Sequence, residues 1–105
     1  MSYDVRWSED ALTDFKEILA YLNEKWGSNS VLKFQAKVEK EIEIISELPG
    51  IFPFLNKLKR IRKCVIVKQV SLYYMELEIE KEIYIIRLLD NRQNPETIQE
   101  ELNKY

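Results

Sequence analysis

Residues 59–89 read KRIRKCVIVKQVSLYYMELEIEKEIYIIRLL, and this stretch decides the fold. It holds three runs rich in valine, isoleucine, leucine and tyrosine, the residue types that suit a pleated, half-buried surface. The runs break at Lys68-Gln69 and at Ile79-Glu80-Lys81, which predicts strands over Lys59–Val67, Val70–Glu78 and Glu82–Leu89. Connections this short favour antiparallel pairing, so the three strands form a meander.

The residues before the meander are patterned differently. Tyr3, Val5 and Trp7 alternate with Ser2, Asp4 and Arg6, a period of two that reads as a short first strand. Ser8 then offers an N-cap, followed by Glu9 and Asp10 at what would be the positive end of a helix. Ala11, Leu12, Phe15, Ile18, Leu19, Leu22 and Trp26 recur at helical spacing up to Gly27, a residue suited to ending a helix. Ser28, Asn29 or Ser30 can cap a second helix whose apolar stripe is Val31, Phe34, Val38, Ile42 and Ile45. The short link makes these two helices an antiparallel hairpin. Pro49 and Gly50 end the second helix, and Pro53 is expected to keep the next segment an open loop. Beyond the meander, Asn94-Pro95-Glu96 reads as the cap and first turn of a short helix over Pro95–Asn103.

The fold expected is therefore α+β. An N-terminal strand, a helical hairpin and a three-stranded antiparallel meander build one sheet, with a short C-terminal helix, all in a single domain spanning 1–105. The hairpin covers one face of the sheet, and the other face is expected to be free as a working surface.

With 105 residues, 46% hydrophobic and 32% charged, the chain has a globular composition. Its single cysteine, Cys64, excludes an internal disulfide and sits in the apolar run Cys64-Val65-Ile66-Val67 as a small hydrophobe. There is no histidine, which excludes Ser-His and Cys-His catalytic pairs and a zinc site of the usual kind. No Gly-rich phosphate loop or metal-ligand cluster is visible, so no cofactor and no metal is expected. No leader pattern opens the chain and no apolar run is long enough to span a bilayer. The expectation is a cytoplasmic protein with no membrane partner.

Charge is uneven. The net value is −2, yet Lys57, Lys59, Arg60, Arg62, Lys63 and Lys68 fall within 13 residues that contain no acid. On a strand, residues two apart share a face, so Arg60 and Arg62 are expected to project together, with Lys59 and Lys63 opposite. Guanidinium groups in a row suit phosphate or carboxylate recognition, although a strip of this kind also serves as a solvated or partner-covered strand. Arg87 follows the apolar run Ile83-Tyr84-Ile85-Ile86, where a charge needs a partner or an exit to water. Arg92 lies just past the strand in a loop, and Asp90 could pair with either arginine. Of Tyr73 and Tyr74, one must enter the core, and core packing of both is the plainer reading, the alternative being that one stacks on a base or partner. Glu76, Glu78, Glu80 and Glu82 read as a solvated hairpin rather than a catalytic pair.

In order along the chain, Tyr3-x-Val5-x-Trp7-Ser8-x-x-Ala11-x-x-Asp14-Phe15-x-x-Ile18, Trp26-Gly27, Phe34, Pro49 with Phe52-Pro53, Ile61-Arg62-Lys63, Tyr74 and Arg92-Gln93-x-Pro95 resemble the RelE/ParE superfamily of toxins from type II toxin–antitoxin pairs, also called plasmid stabilisation proteins. The resemblance implies a helical hairpin on an antiparallel sheet and a cognate antitoxin laid over a groove. It implies one of two actions: ribosome-dependent cleavage of messenger RNA, as in RelE-like members, or inhibition of DNA gyrase, as in ParE-like members. For a ribonuclease, Arg62, Lys63 and Arg92 would be the catalytic candidates. The wider functional surface expected is Lys57, Arg60, Arg62, Tyr74, Arg87 and Arg92. Ser71 stands where the nucleases carry an arginine and Ile98 where some carry a tyrosine. The gyrase-directed reading is therefore the one preferred at this level, with a non-toxic binding module as a third alternative.

Overall fold

A computed structural model describes residues 2–105. Its elements are β1 (Asp4–Trp7), α1 (Glu9–Trp26), α2 (Ser28–Glu47), β2 (Phe54–Asn56), β3 (Ile61–Val67), β4 (Val70–Leu77), β5 (Glu82–Asp90) and α3 (Pro95–Leu102). The five strands make one sheet in the order β1-β5-β4-β3-β2. The expected meander is β3–β4–β5, antiparallel throughout, and β1 joins it in parallel on β5.

Ser8 sets the first corner. Its Oγ accepts the Ala11 amide at 2.9 Å as an N-cap and donates to the Ile86 carbonyl at 2.7 Å. Its amide donates to the Ile85 carbonyl at 2.9 Å. One buried serine thus starts α1 and satisfies β5 just where β1 has ended.

Gly27 does two jobs. It closes α1 and also serves as the N-cap of α2, with φ +88°, so the expected serine or asparagine cap is not used. An added Cβ would meet nothing within 4 Å. Backbone conformation, not space, is what requires glycine here.

The hairpin α1–α2 packs on one face of the sheet. Ala11, Phe34, Val38 and Ile45 meet Cys64, Ile66, Leu72, Tyr74, Ile83, Ile85 and Leu88 in one apolar cluster. The other face is not left free as expected. There α3 lays Ile98 and Leu102 over Ile61, Tyr73, Ile86 and Leu89 in a second cluster. The Asn94 side chain caps α3 by accepting the Glu96 amide at 2.8 Å, with Pro95 in its first turn, as the sequence predicts.

Two strand features were not anticipated. Residues 54–56 are not an open loop but β2, paired antiparallel with β3. Pro53 precedes the strand rather than preventing it, and an edge strand loses nothing by a missing amide at its start. In β5 the register slips, because Tyr74 faces Ile85 but Tyr73 faces Arg87. The bulge resets the alternation, so Ile85 and Leu88 enter the hairpin side while Ile86 and Leu89 enter the α3 side.

Cys64 is fully buried, accepts no disulfide partner, and lies 3.5 Å from a Glu41 carboxylate oxygen. Burial, reinforced by Glu41, pushes its thiol up to about 12. Thiolate is therefore scarce in the native state at neutral or mildly alkaline pH. The predicted outcome is that an alkylating reagent at mildly alkaline pH modifies Cys64 only as fast as the sheet opens. Denaturant should accelerate labelling in step with unfolding, and rapid labelling of the folded chain would contradict this placement.

Candidate functional site

Arg87 is the centre of the polar structure. Its guanidinium grips Asp14 of α1 through two bonds, Nε to Oδ2 at 2.7 Å and Nη2 to Oδ1 at 3.0 Å. Its Nη1 reaches Glu101 of α3 at 2.7 Å, and Lys104 adds a 3.1 Å bond to the same carboxylate oxygen. Asp14 also accepts the Leu88 amide at 3.0 Å. Arg87 and Asp14 are only 15% and 12% exposed, so this bidentate pair is largely removed from water. The Asp14 bonds, and then Glu101, hold the guanidinium above its ordinary range despite burial.

The bulge explains the position. Past Ile85 no strand covers the edge of β5, because β1 stops at Trp7. Ser8 and Asp14 take over as edge partners, one for carbonyls and one for an amide. The sequence expectation that Arg87 needs a partner or an exit is met by two acids, one from each side of the sheet. Asp14, 73 residues away, was not foreseen in that role.

The other expected site residues are scattered. Arg60 is not on a strand. It sits in the turn before β3 with φ +60° and pairs with Glu78 at 2.9 Å, so it does not share a face with Arg62. Arg62 does lie on β3, but it turns toward the loop that follows α2. Its guanidinium carbon lies 3.8 Å from the Phe54 ring centre, and it donates to the Phe52 carbonyl at 2.7 Å. Tyr74 is fully buried in the hairpin-side core, and its hydroxyl donates to the Pro49 carbonyl at 2.6 Å. Burial pushes that phenol up to about 12, so Tyr74 is a core residue and not part of a working surface. Tyr73 is equally buried against α3, with a hydroxyl that has no partner. Lys63 is half-buried on the opposite face from Arg62, and Lys57 is exposed in the turn after β2.

Asp90 pairs with Arg92, not with Arg87. The carboxylate accepts the Arg92 amide at 2.8 Å, Nε at 3.0 Å and Nη2 at 2.7 Å, which holds the exposed guanidinium in one orientation. Those bonds keep the Asp90 carboxyl below its ordinary range. Arg60 and Arg92 stand at opposite ends of the sheet. The nine residues of β5 separate them by roughly 25 Å at ~3.3 Å per residue. The strip expected to gather these arginines into one surface is therefore divided.

Arg87 and Arg92 do share one feature, a groove of about 750 Å³ between α1 and the far end of β5. Ile18, Tyr21, Leu22 and Trp26 line its helical wall, and Val70 and Leu88 its sheet wall. Tyr21 and Trp26 are 52% and 72% exposed, large aromatic surface left facing solvent beside a fixed cation. By its spacing Trp26 belongs to the apolar stripe of the first helix, whereas Tyr21 is not part of that stripe. A signal for Tyr21 is still present, since Ile18, Tyr21 and Leu22 are spaced i, i+3, i+4 along one helical face. Among the described residues, no group of acids, cysteine or histidine is arranged to hold a metal ion. No described helix is long and apolar enough to cross a membrane.

Replacing Asp14 with asparagine should destabilise the fold by about 2–4 kcal/mol, because it strands a mostly buried guanidinium. Glu101→Gln should cost under about 1 kcal/mol, since that carboxylate is 32% exposed and Asp14 remains. Chemical denaturation of the two variants measures the order, and equal losses would contradict it.

The geometry can be set beside known proteins. The toxin of the chromosomal ParDE system of P. aeruginosa superposes with a TM-score of 0.69 at 15% identity, covering 85% of this chain and 96% of that one. An arginine-substituted E. coli RelE toxin in the free state gives 0.69 at 17% identity, covering 99% and 98%. The toxin in the intact E. coli RelBE toxin–antitoxin complex gives 0.62 at 17%, covering 88% and 100%. At such identities the likeness shows a shared fold. No curated protein sequence matches the chain. The profile of the family described as ParE toxin of type II toxin–antitoxin system, parDE, matches residues 5–95, from β1 through the whole sheet to the start of α3. The chain belongs to that family, the ParE toxins of type II toxin–antitoxin systems within the RelE/ParE superfamily.

Proposed function

We propose that this toxin acts by binding its target, such as DNA gyrase, rather than by cutting messenger RNA. The observation that carries this reading is the commitment of its arginines. Arg62 clasps a loop, Arg87 is held by two carboxylates, and Arg92 is held by Asp90. Metal-free RNA cleavage needs a base for the 2′-hydroxyl and free charge at the phosphate. Tyr73 and Tyr74 are buried with phenols raised by burial, and there is no imidazole. The position that resembles an arginine site in the nucleases is Ser71, buried and bonded to the Asn91 side chain at 2.6 Å.

Neutralisation by a cognate antitoxin is part of the same proposal, and we assign the antitoxin to the groove between α1 and β5. Supporting this are its apolar walls, the exposed Tyr21 and Trp26 at its rim, and Arg92 held in one orientation beside them. Aromatic and arginine side chains grouped in this way are typical of the few residues that dominate binding energy.

Two measurements test the proposal. Inducing the chain without an antitoxin should arrest growth while messenger RNA 5′ ends stay unchanged, and the purified chain should stall supercoiling by DNA gyrase. New 5′ ends within translated codons would overturn it in favour of an endoribonuclease. The double variant Tyr21→Ala, Trp26→Ala should weaken antitoxin binding by ~30-fold or more, the loss of two anchors of over ~1 kcal/mol each. Unchanged affinity would remove the groove assignment.

A further inference from the structure

Two turns at one end of the sheet repeat one design. Lys57-Leu58-Lys59-Arg60 joins β2 to β3, and Glu78-Ile79-Glu80-Lys81 joins β4 to β5. Each is closed by a bond from its fourth amide to its first carbonyl, 3.2 Å for Arg60 to Lys57 and 3.3 Å for Lys81 to Glu78. Each holds that fourth residue in the left-handed region, φ +60° at Arg60 and +55° at Lys81. A long side chain there carries strain that glycine or asparagine would avoid. Each presents a branched aliphatic at its second position almost wholly to solvent, Leu58 at 99% and Ile79 at 94%. The Arg60–Glu78 bridge at 2.9 Å ties one turn to the other. The side chain of Asn56 further fixes the first turn by accepting the Lys59 amide at 3.1 Å.

The two aliphatics are thus held on neighbouring, hydrogen-bonded turns. Their flanks carry opposite charge, with Lys57 exposed beside Leu58 and Glu80 exposed beside Ile79, whereas Lys59 donates to the Asn103 and Tyr105 carbonyls and Glu78 pairs with Arg60. A surface that is basic on one side and acidic on the other, with an apolar knob on each, complements itself after a two-fold rotation. The basic turn of one copy then meets the acidic turn of the other, and Leu58 packs on Ile79 twice.

We infer that this end of the sheet is the contact surface for a second copy of the chain, in an isologous dimer. Two pairs of turns bury less than the ~1,200 Å² of a standard stable interface, so the dimer is weak and forms with rising concentration. Its exposed charge pairs make it salt-sensitive. The groove lined by Val67, Gln69, Val70 and Arg92 lies at the opposite end of the strands and stays open in both copies. Self-association therefore leaves the site discussed above accessible.

Sedimentation velocity of the purified chain over a concentration series tests this directly. The expected result is a monomer–dimer equilibrium. Leu58→Asp and Ile79→Asp should each weaken it by ~10-fold or more, with circular dichroism unchanged because both side chains stand outside the core. Lys57→Glu alone and Glu80→Lys alone should weaken it, and the two together should restore it by exchanging the polarity of both contacts. A chain that stays monomeric at every concentration overturns the inference. So does association that Leu58→Asp and Ile79→Asp leave unchanged, or a charge exchange that fails to restore it.

Discussion

The structure depends on a single guanidinium that is kept out of water. Arg87 sits in the longest strand, between residues that enter opposite cores, and cannot be buried without acids. Asp14 supplies a bidentate partner from α1, and Glu101 a second carboxylate from α3. The helical hairpin on one face and the terminal helix on the other are thereby referred to the same point of β5. Such a pair adds little net stability over a well-packed apolar substitute, but it strongly penalises any packing that leaves one member unpaired. It therefore fixes where the helices sit more than how tightly they are held.

The same constraint shapes the groove proposed to take the antitoxin. Because β1 ends at Trp7, the second half of β5 is an open edge, and open edges invite pairing with other chains. Ser8 and Asp14 satisfy part of that edge from α1. What remains beside it is a groove with apolar walls and two cations whose charges are already matched. That chemistry favours shape and apolar contact over phosphate handling. That is the physical ground on which a binding mechanism is proposed for this toxin.

Much of the architecture could be read from local signals. The Ser8 cap, both helical stripes, the three meander strands and the Asn94-Pro95 start each follow from residues close together in sequence. What could not be read depends on distant partners or on geometry finer than a pattern. Three residues of β2 after Pro53 are too few to show a period, and β3 alone makes them a strand. Gly27 serves two helices at once, which removed the need for the serine cap. Arg60 falls in a left-handed turn one residue before the strand begins, so the expected alignment with Arg62 fails. Tyr74 and Tyr73 carry hydroxyls that suggest function, yet the sheet is covered on both faces and both rings are core. The need of Arg87 for a partner was legible, whereas the identity of Asp14 required the fold.

A double-mutant cycle on Asp14 and Arg87 measures how far each residue depends on the other. The stabilities of the wild-type chain, Asp14→Ala, Arg87→Ala and the double variant are measured by chemical denaturation. Strong coupling is expected, with the double variant losing less than the sum of the single losses by about 2 kcal/mol or more. Losses that add to within ~0.5 kcal/mol would show two independent residues, and would contradict the view that this pair organises the fold.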